Sequence, residues 1–334
     1  MSLHLDKLTT GQNLSQEETA EAFSVIMSGE ATGAQIGAVL GALAAKGETA
    51  EEIAGGASAM RDAAVEINVG DLDVVDTCGT GGDGSHTFNI STLAAFVAAG
   101  AGVPIAKHGN RSITSKCGSA DVLLELGVNL EATPDVIEAC IREAGIGFMF
   151  APKMHPAMKH AMGPRKELGV RTIFNMLGPL TNPAGAKRQV LGVFSPDVTE
   201  RFAEVLGLLG STRVLVVHGG GMDEITSTGT SQVSELADGK VTTYEFDPRE
   251  LIGDFADPSS LAGGDAEANA IIARNVIAGQ PGPQRDVVCL NAAAAILAGG
   301  VGSDMSDAWQ KAQESIDCGK AQEAVDKLIE VSNR

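Results

Sequence analysis

The chain has 334 residues, which is enough for one large domain or two of ordinary size around a substantial core. Hydrophobic residues make up 44% of the sequence but aromatic residues only 4%, so alanine and aliphatic side chains must build that core. The formal charge of -19 would repel nucleic acid and acidic membranes over most of the surface, and therefore argues against both as partners.

Cysteine usage and the amino terminus indicate the cellular compartment. The five cysteines are odd in number and form no C-x-x-C pair, so we expect neither a disulfide framework nor a zinc site. The start, MSLHLDKL, lacks a basic region followed by an apolar run, and no stretch reaches about 18 uninterrupted apolar residues. We therefore expect a soluble protein of the reducing cytoplasm.

The first 70 residues predict three or four helices. Ser15 with Glu18, and Thr49 with Glu52, match the capping box that begins a helix. Between these boxes, four aliphatic residues recur at helical spacing: Ile36, Val39, Leu40 and Leu43. The same segment carries small residues at Gly33, Ala34, Gly37, Ala38 and Gly41. They would let a second helix approach closely, either within the chain or across a subunit interface, and the sequence leaves both open.

A glycine-rich loop follows the first predicted strand, residues 73–76. Four glycines fall within six residues: Gly79, Gly81, Gly82 and Gly84. Asn89, Ser91 and Thr92 then open a segment that is predicted to be helical to Ala99. A strand, a glycine turn and a helix start together direct free backbone N–H groups toward an anion, so phosphate is the expected occupant. The alternative is an ordinary surface turn.

A second polar loop, from Lys107 to Asp121, follows a strand predicted at 103–106. It concentrates cations and hydroxyl donors, at Lys107, Arg111, Lys116, Ser112, Thr114, Ser115 and Ser119. So many donors suit a polyanion, and the two neighbouring loops support each other as one site. Neither loop matches the P-loop pattern or the dinucleotide fingerprint.

Two later segments carry charge that is suited to a site. Residues 152–190 contain many basic and histidine side chains but only one acidic residue, Glu167, so they either face an anion, bind an acidic substrate or form a solvated helix face. Asp223 and Glu224 follow a strand predicted at 213–217 and a run of glycines. Adjacent carboxylates at a strand end suit Mg²⁺, although such pairs are often only solvated.

The remaining elements predict an α/β fold. Further strands are expected at 147–151, 190–194 and beyond Val241, followed by helices near 267–278, 285–299, 307–317 and 320–332. The sequence shows no internal repeat or low-complexity linker, so the helical start and the α/β part should share an interface that contains the cleft.

The motifs GTGGDG, NIST, KHGNRS and GSAD, in this order and at these distances, resemble the anthranilate phosphoribosyltransferase family. Further matching segments, FAPKMHPAMKH, GPRKELGVRTIFNMLGPLTNPA and HGGGMDEI, extend the resemblance over nearly the whole chain. It implies a small α-helical domain plus a larger α/β domain with a mixed central sheet, the nucleoside phosphorylase-like phosphoribosyltransferase fold, usually as a homodimer. We accordingly expect a helical domain over 1–70, completed by helices within 155–190, and an α/β domain over 71–334 that binds phosphoribosyl pyrophosphate.

The same resemblance implies an Mg²⁺-dependent enzyme of tryptophan biosynthesis. It would transfer the phosphoribosyl group of phosphoribosyl pyrophosphate to the amine of anthranilate and release pyrophosphate. Since an aromatic amine is already neutral at pH 7, no residue is assigned to proton transfer. Donors around the pyrophosphate would stabilise its growing charge.

Site residues follow from the resemblance position by position. Those expected to bind phosphoribosyl pyrophosphate are Gly79, Gly82, Asp83, Thr87, Asn89, Ile90, Ser91, Thr92, Lys107, His108, Gly109, Asn110, Arg111, Ser112, Ile113, Thr114, Ser115 and Ser119. Mg²⁺ would be held by Ser91, Asp223 and Glu224. Anthranilate would be positioned by Gly79, Asn110 and Arg165, with His108, His155 and Pro179 along its path. Two positions depart from the expected form: Thr114, where serine is usual, keeps a hydroxyl, whereas Cys117 replaces a small polar residue and leaves one donor open.

Two other functions compete with this one. A pyrimidine nucleoside phosphorylase shares the fold but carries a different glycine loop, and the KHGNR segment argues against it. A noncatalytic relative that binds nucleic acid needs a broad basic surface, which a charge of -19 does not favour.

Overall fold

The computed structural model describes residues 2–112 and 116–334, and it begins with four helices. These are α1 Leu5–Leu8, α2 Gln16–Ser28, α3 Gly33–Lys46 and α4 Ala50–Asp62. Both predicted capping boxes form, at Ser15 and at Thr49, and Thr32 begins α3 in the same way. The predicted apolar face of α3 is at most 1% exposed, at Ile36, Val39, Leu40 and Leu43. The helical character of the amino-terminal region is therefore confirmed.

A seven-stranded sheet forms the centre of the rest of the molecule. Its strands are β1 Val75–Gly79, β2 Ile105–Gly109, β3 Ile146–Phe150, β4 Arg188–Gly192, β5 Arg213–Gly219, β6 Ser231–Ala237 and β7 Lys240–Phe246. They lie in the order β3-β2-β1-β4-β5-β6-β7. The first five of these are parallel, whereas β6 and β7 pair antiparallel with their neighbours. The mixed central sheet is thus confirmed.

Some strand boundaries differ from the prediction. The strands expected at 73–76 and 103–106 run from Val75 to Gly79 and from Ile105 to Gly109. The prediction followed apolar residues, whereas the parallel ladders to β4 and β3 continue through polar residues at the strand ends. β6 is missing from the predicted elements because its sequence, SQVSELA, mixes polar and apolar residues without a clear run.

Helices surround the sheet. They are α5 Ile90–Gly100, α6 Ser119–Leu126, α7 Pro134–Ala144, α8 Ala151–Met154, α9 Lys159–Leu168, α10 Phe174–Leu177, α11 Thr199–Leu208, α12 Arg249–Ile252, α13 Ala266–Ile277, α14 Pro283–Ala298, α15 Met305–Asp317 and α16 Lys320–Ser332. Short 3-10 turns lie at Pro156–Met158, Gly178–Leu180, Pro196–Val198 and Pro258–Leu261. The four predicted carboxy-terminal helices agree within two residues. Among the described residues, no helix combines the length and apolar character that a membrane crossing requires.

The two faces of the sheet belong to different hydrophobic clusters. Leu215 and Val217 of β5 pack in the cluster that contains α5 and α14, whereas Val214 and Val216 pack with α11 and the amino-terminal helices. This second cluster also includes residues of α9 and α10, and the Phe23 and Phe174 rings lie 5.5 Å apart between centroids. The amino-terminal helices and one face of the sheet therefore share this second cluster as a common core.

The strand order determines where a ligand can bind. The chain passes from β1 to β2 and β3 on one side, and then returns to β4 on the other side of β1. Open α/β sheets bind ligands outside the carboxyl ends of their strands at such a reversal. The loops after β1, β2 and β5 open at this same end because these strands are parallel.

Candidate active site

The glycine-rich loop leaves the carboxyl end of β1 beside β4. The Thr80 N–H donates a hydrogen bond to the Gly192 carbonyl at 2.9 Å. Gly81, Gly82 and Gly84 then have φ angles of 62°, 75° and 74°, which side chains other than glycine rarely adopt. The sequence therefore has glycines here because the loop must bend while it exposes its backbone.

The start of α5 follows this loop. Asn89 is the N-cap residue, and the Ser91 N–H donates to Glu224 Oε1 at 3.2 Å. Ile90 and Thr92 are each 1% exposed, so their side chains lie within the core. Thr92 Oγ1 has no hydrogen-bond partner among the described residues. Thr87, just before the helix, pairs with Ala262 in an isolated antiparallel bridge.

The acidic pair after β5 lies directly against the glycine loop. Asp223 Oδ2 accepts a hydrogen bond from the Gly81 N–H at 2.7 Å, and the Asp223 N–H donates to Asp83 Oδ2 at 3.2 Å. With the contact between Ser91 and Glu224, these bonds bring together the glycine loop, the start of α5 and both carboxylates. The structure therefore gathers the three residues predicted to hold Mg²⁺, together with Asp83.

Glycines at two strand ends make room for Asp223. A Cβ on Gly79 would lie 2.3 Å from Asp223 Oδ2, and a Cβ on Gly192 would lie 1.5 Å from the Asp223 carbonyl oxygen. The Gly79 contact involves a side-chain tip that can move, whereas the Gly192 contact involves backbone. Gly192 is therefore required for the loop to lie where it does.

Gly192→Ala is expected to destabilise the protein by about 2–4 kcal/mol and to reduce turnover, because the 222–224 segment must move away. Urea unfolding and steady-state turnover measure the two effects. Gly207→Ala is the matched control, since Gly207 lies in α11 and its Cβ would meet the Leu236 side chain of β6 at an ordinary 3.7 Å. A Gly192→Ala variant as stable and active as the control would contradict the assigned packing.

The carboxyls of Asp223 and Glu224 have raised pKa values in the free protein. Burial, and then repulsion from Asp83, raises the pKa of Asp223 to about 7. Burial, and then repulsion from Asp223, raises the pKa of Glu224 to about 8. A divalent cation would relieve this repulsion.

The ligand count indicates how such a cation would be held. In residues 2–112 and 116–334, no group of three or more His, Cys, Asp or Glu side chains is arranged to hold a metal ion. Mg²⁺ commonly binds through one or two carboxylates, with substrate phosphates and water completing its shell. Asp223 and Glu224 fit that second arrangement.

Without Mg²⁺ or substrate, the free energy of unfolding is expected to fall by several kcal/mol as pH rises from about 4, where ordinary carboxyls ionise, to about 8, where Glu224 ionises in the folded protein. The folded protein keeps protons on Asp223 and Glu224 up to about pH 7 and 8, whereas the unfolded chain releases them near their ordinary values. Stability linked to these protons is thus fully present below the ordinary carboxyl values, is lost progressively as pH rises above them, and is gone once pH has passed the folded values. Urea unfolding at several pH values measures the fall, and a variant carrying Asp223→Asn and Glu224→Gln should show a flatter profile. An equal fall in both proteins would assign the effect elsewhere.

The second loop is held together by Asp121 near the start of α6. Asp121 Oδ1 accepts from Arg111 Nη1 at 3.0 Å, while its Oδ2 accepts from the Ser112 and Gly118 N–H groups at 3.3 and 2.9 Å. The predicted residues Ile113, Thr114 and Ser115 lie outside the described residues. Arg111 is exposed, and its positive charge is partly balanced by this carboxylate.

The ends of the second loop meet at Asn110. Its carbonyl accepts hydrogen bonds from Ser119 Oγ and from the Ala120 N–H, both at 3.2 Å. A Cβ on Gly109 would approach Ser119 Oγ to 2.4 Å, so the loop closes tightly there. Cys117 is buried, and burial raises the pKa of its thiol to about 11. This thiol is therefore neutral at pH 7.

Lys107 and Asp76 lie beneath the two loops. Lys107 is 2% exposed, and its Nζ donates to the Thr77 carbonyl and to Thr77 Oγ1. Asp76 Oδ1 accepts from the His108 N–H at 3.0 Å. Burial lowers the pKa of Lys107 and raises that of Asp76. The predicted phosphate ligand Lys107 thus has its ammonium directed at backbone of the neighbouring strand.

A pair of histidines lies next to this region. His108 and His155 approach with their Nε2 atoms 3.2 Å apart, and both side chains are buried. Burial is the main reason that their pKa values fall, to about 3 for His108 and about 4 for His155. Both rings are therefore neutral at pH 7, and one must donate to the other. Pro179 is buried, and its carbonyl accepts from Gln189 Nε2 at 2.8 Å.

Arg165 is partly buried on α9. Its guanidinium carbon lies 4.9 Å from the centroid of the Phe174 ring, and burial lowers its pKa. Within the described ranges, no hydrogen bond or ion pair joins Arg165 to either loop. Among the described residues, the Arg165 guanidinium is therefore available to pair with the negative group of a ligand.

Three residues that help to build this site are absent from the sequence prediction. Asp76 and Gly192 support the loops from adjacent strands, and Asn269 joins Asn89 from α13. Asp76 could have been suspected, because an acidic residue inside a buried strand needs a partner. Gly192 and Asn269 give no sequence signal, since their contacts come from residues far away along the chain.

Comparison with known proteins identifies the family. The helical bundle domain of a glycosyl transferase family matches residues 4–64, and the a/b domain of that family matches residues 71–322. The chain is 56% identical to the anthranilate phosphoribosyltransferase of Desulfosudis oleivorans over 328 residues. The aligned stretch covers 98% of this chain and 97% of that protein.

Solved structures agree with this result. The fold matches anthranilate phosphoribosyltransferase from Thermus thermophilus with a TM-score of 0.94 and 43% identity, over 100% of both chains. It also matches the Saccharomyces cerevisiae enzyme in complex with phosphoribosyl pyrophosphate and Mg, with a TM-score of 0.88 and 28% identity over 99% of this chain and 97% of that one. The resemblance predicted from the motifs is confirmed, and the chain belongs to the anthranilate phosphoribosyltransferase family.

Proposed function

We propose that the chain transfers the phosphoribosyl group of phosphoribosyl pyrophosphate to the amine of anthranilate. The products are N-(5-phosphoribosyl)anthranilate, an intermediate of tryptophan biosynthesis, and pyrophosphate. One observation carries the proposal at the level of geometry: Asp223 and Glu224 accept hydrogen bonds from the N–H groups of Gly81 and Ser91. Two carboxylates thus lie beside a glycine loop and a helix start, where a diphosphate and its cation would be held together.

The two loops are assigned to the phosphoribosyl donor. Backbone N–H groups of the 79–92 segment and hydroxyl and backbone groups of the 107–119 segment would bind its phosphates. The positive φ angles of Gly81 and Gly82 support this assignment. They require residues without a side chain, so the loop backbone can approach a phosphate closely. The Lys107 ammonium is held beneath the loops by its bonds to Thr77. From there it would contribute positive charge to the phosphate site.

Mg²⁺ use is part of the proposal. The yeast relative was solved in complex with phosphoribosyl pyrophosphate and Mg. Here Ser91, Asp223 and Glu224 would hold the ion, and the raised pKa values of the two carboxyls support a cation between them. When bound, Mg²⁺ would stabilise the negative charge that grows on the departing pyrophosphate. Asp83 would keep Asp223 in place through its contact with the Asp223 N–H.

Anthranilate is assigned to the side of the crevice that carries Arg165. Its carboxylate would pair with the Arg165 guanidinium, and Asn110 with the Gly79 backbone would orient the ring and amine. His108, His155 and Pro179 would border its path. The neutral state of both histidines suits passage of an aromatic ring, because it adds no charge that must be desolvated.

The chemistry requires positioning more than proton transfer. An aromatic amine is neutral at pH 7, so it can attack ribose C1 directly while the C1–O bond to pyrophosphate breaks. The amine nitrogen then loses one proton to solvent. Fixed donors in the two loops stabilise the leaving group, and orientation of the amine supplies much of the remaining effect.

The direct test mixes the protein with anthranilate, phosphoribosyl pyrophosphate and Mg²⁺ and follows the loss of anthranilate fluorescence. We expect a loss that requires all three components and releases one pyrophosphate per anthranilate consumed. The opposite result would be no consumption of anthranilate together with cleavage of pyrimidine nucleosides by inorganic phosphate. That result would refute the proposal and support the phosphorylase alternative.

Assembly and location are proposed on separate grounds. We assign the chain to a homodimer through the outer face of α3, where a Cβ on Gly37 or Gly41 would meet nothing within 4 Å. At the Gly33 end of this face, a Cβ would meet Pro164 Cγ of α9 at an ordinary 3.7 Å. We also propose the division into a helical domain over 1–70, completed within 155–190, and an α/β domain over 71–334. No disulfide joins the five cysteines, all of which lie within the described ranges, and this supports a cytoplasmic location. Light scattering during gel filtration tests the dimer, and a monomer mass would exclude it.

A further inference from the structure

Asn269 lies outside the residues assigned above, yet it connects three parts of the candidate site. It is near the start of α13 and is 2% exposed. Its Oδ1 accepts a hydrogen bond from the Gly264 N–H at 2.7 Å, and its Nδ2 donates to Asn89 Oδ1 at 2.9 Å. Because a backbone N–H can only donate, the contact with Gly264 determines which way the Asn269 amide points.

The bond from Asn269 changes what Asn89 does at the start of α5. An N-cap Asn normally accepts a hydrogen bond from the second or third helical N–H. Within the described part of the chain, the Asn89 side chain makes no such bond to its own helix. Its oxygen faces Asn269, and its Nδ2 donates to the Cys117 carbonyl at 3.2 Å. The first turn of α5 is therefore not capped by Asn89, and its Ser91 N–H donates to Glu224 Oε1 instead, so an acid of the candidate site rather than the N-cap meets this helix start.

The same connection reaches both phosphate loops. Through Asn89 it holds the Cys117 carbonyl of the second loop. Through Gly264 it reaches the end of the glycine loop, where the Gly263 N–H donates to the His86 carbonyl at 2.9 Å. A Cβ on Gly263 would lie 2.7 Å from the Phe88 nitrogen, so the two backbones are in close contact. A loop with three glycines at positive φ needs such support, because its own residues restrict it little.

We propose that Asn269 is a positioning residue for the phosphoribosyl donor. It holds the Asn89 side chain away from the α5 amides and sets the two phosphate loops at a fixed separation. Asn269 does not touch the ligand, and it acts through Asn89 and the 261–264 segment. The proposal rests on the proposed function, since it names the ligand that the loops receive.

Asn269→Leu tests the proposal because it keeps the branched shape and the number of side-chain heavy atoms and removes both hydrogen bonds. We expect the KM for phosphoribosyl pyrophosphate to rise about tenfold, equivalent to about 1.4 kcal/mol, while the KM for anthranilate changes less than about twofold. Asn275→Leu is the matched control, since Asn275 is exposed on the same helix and should leave both constants unchanged. Asn269→Ala provides a second variant should Asn269→Leu fold poorly.

Amide hydrogen exchange of the segment 79–93, measured without substrate, is the independent readout. We expect faster exchange there in Asn269→Leu than in Asn275→Leu. Unchanged exchange, an unchanged KM for the donor, or equal increases for both substrates would each overturn the inference. A wild-type protein that lacks the transferase reaction would instead refute the proposed function, and the exchange comparison would still decide whether Asn269 orders the loops.

Discussion

Replacing Asp223 by Asn and Glu224 by Gln together is expected to lower Mg²⁺-dependent turnover by about 1,000-fold or more. The two carboxylates lie against the Gly81 and Ser91 N–H groups. Burial raises both pKa values, with further repulsion from Asp83 on Asp223 and from Asp223 on Glu224. The isosteric amides remove the negative charge that a divalent cation requires while they preserve the side-chain volume. Turnover measured over a range of Mg²⁺ concentrations checks the prediction.

The same variant should remain folded, and it should gain stability near pH 8 because two buried acids no longer have to ionise. This separates loss of the metal from loss of structure. Glu250→Gln with Asp254→Asn is the matched control, since it removes two exposed acids from the same acidic chain. An unchanged Mg²⁺ response in the Asp223 and Glu224 variant would refute the metal assignment.

Arg165→Ala is expected to raise the KM for anthranilate by about 10- to 100-fold, with a much smaller change for phosphoribosyl pyrophosphate. Arg165 is partly buried over the Phe174 ring, and in the described ranges no carboxylate of the protein pairs with it. It is therefore free to form a charge-assisted bond with the anthranilate carboxylate. Steady-state kinetics with each substrate varied in turn provide the measurement.

Two variants define what Arg165 contributes. Arg165→Lys keeps the charge but loses the planar fork, so it should recover only part of the affinity. Arg171→Ala is the matched control, because Arg171 belongs to the same cationic segment but is exposed over Phe194, 4.1 Å from the ring centroid. Equal increases in both KM values for Arg165→Ala would remove its assigned role in anthranilate binding.

The sequence was most informative where local chemistry determines structure. Capping at Ser15 and Thr49 and the spacing of Ile36 to Leu43 predicted the amino-terminal helices, since these signals act within a few residues. The glycine loop could be predicted for the same reason. Gly81, Gly82 and Gly84 adopt positive φ angles, which few other residues can adopt, so the glycines themselves indicate the turn. The predicted acids Asp223 and Glu224 do lie beside this loop.

Strand ends and one whole strand were not predictable in the same way. The ladders carry β1 and β2 into polar residues, because pairing with a neighbour determines where a parallel strand ends. β6 depends on its antiparallel partners β5 and β7, and its own residues show no strong pattern. Propensity is a weak guide where neighbouring strands supply the stabilising contacts.

By itself, then, the order of residues determined the family, the helices, the mixed α/β class and the polar segments that carry the chemistry, because those depend on local spacing and on motifs. Only the tertiary structure decided that Lys107 is buried on Thr77, that Gly192 makes room for Asp223 and that Asn269 reaches Asn89. These contacts join residues that are 30, 31 and 180 positions apart. The free energy of such contacts depends on packing and burial, which arise only when the sheet brings distant segments together.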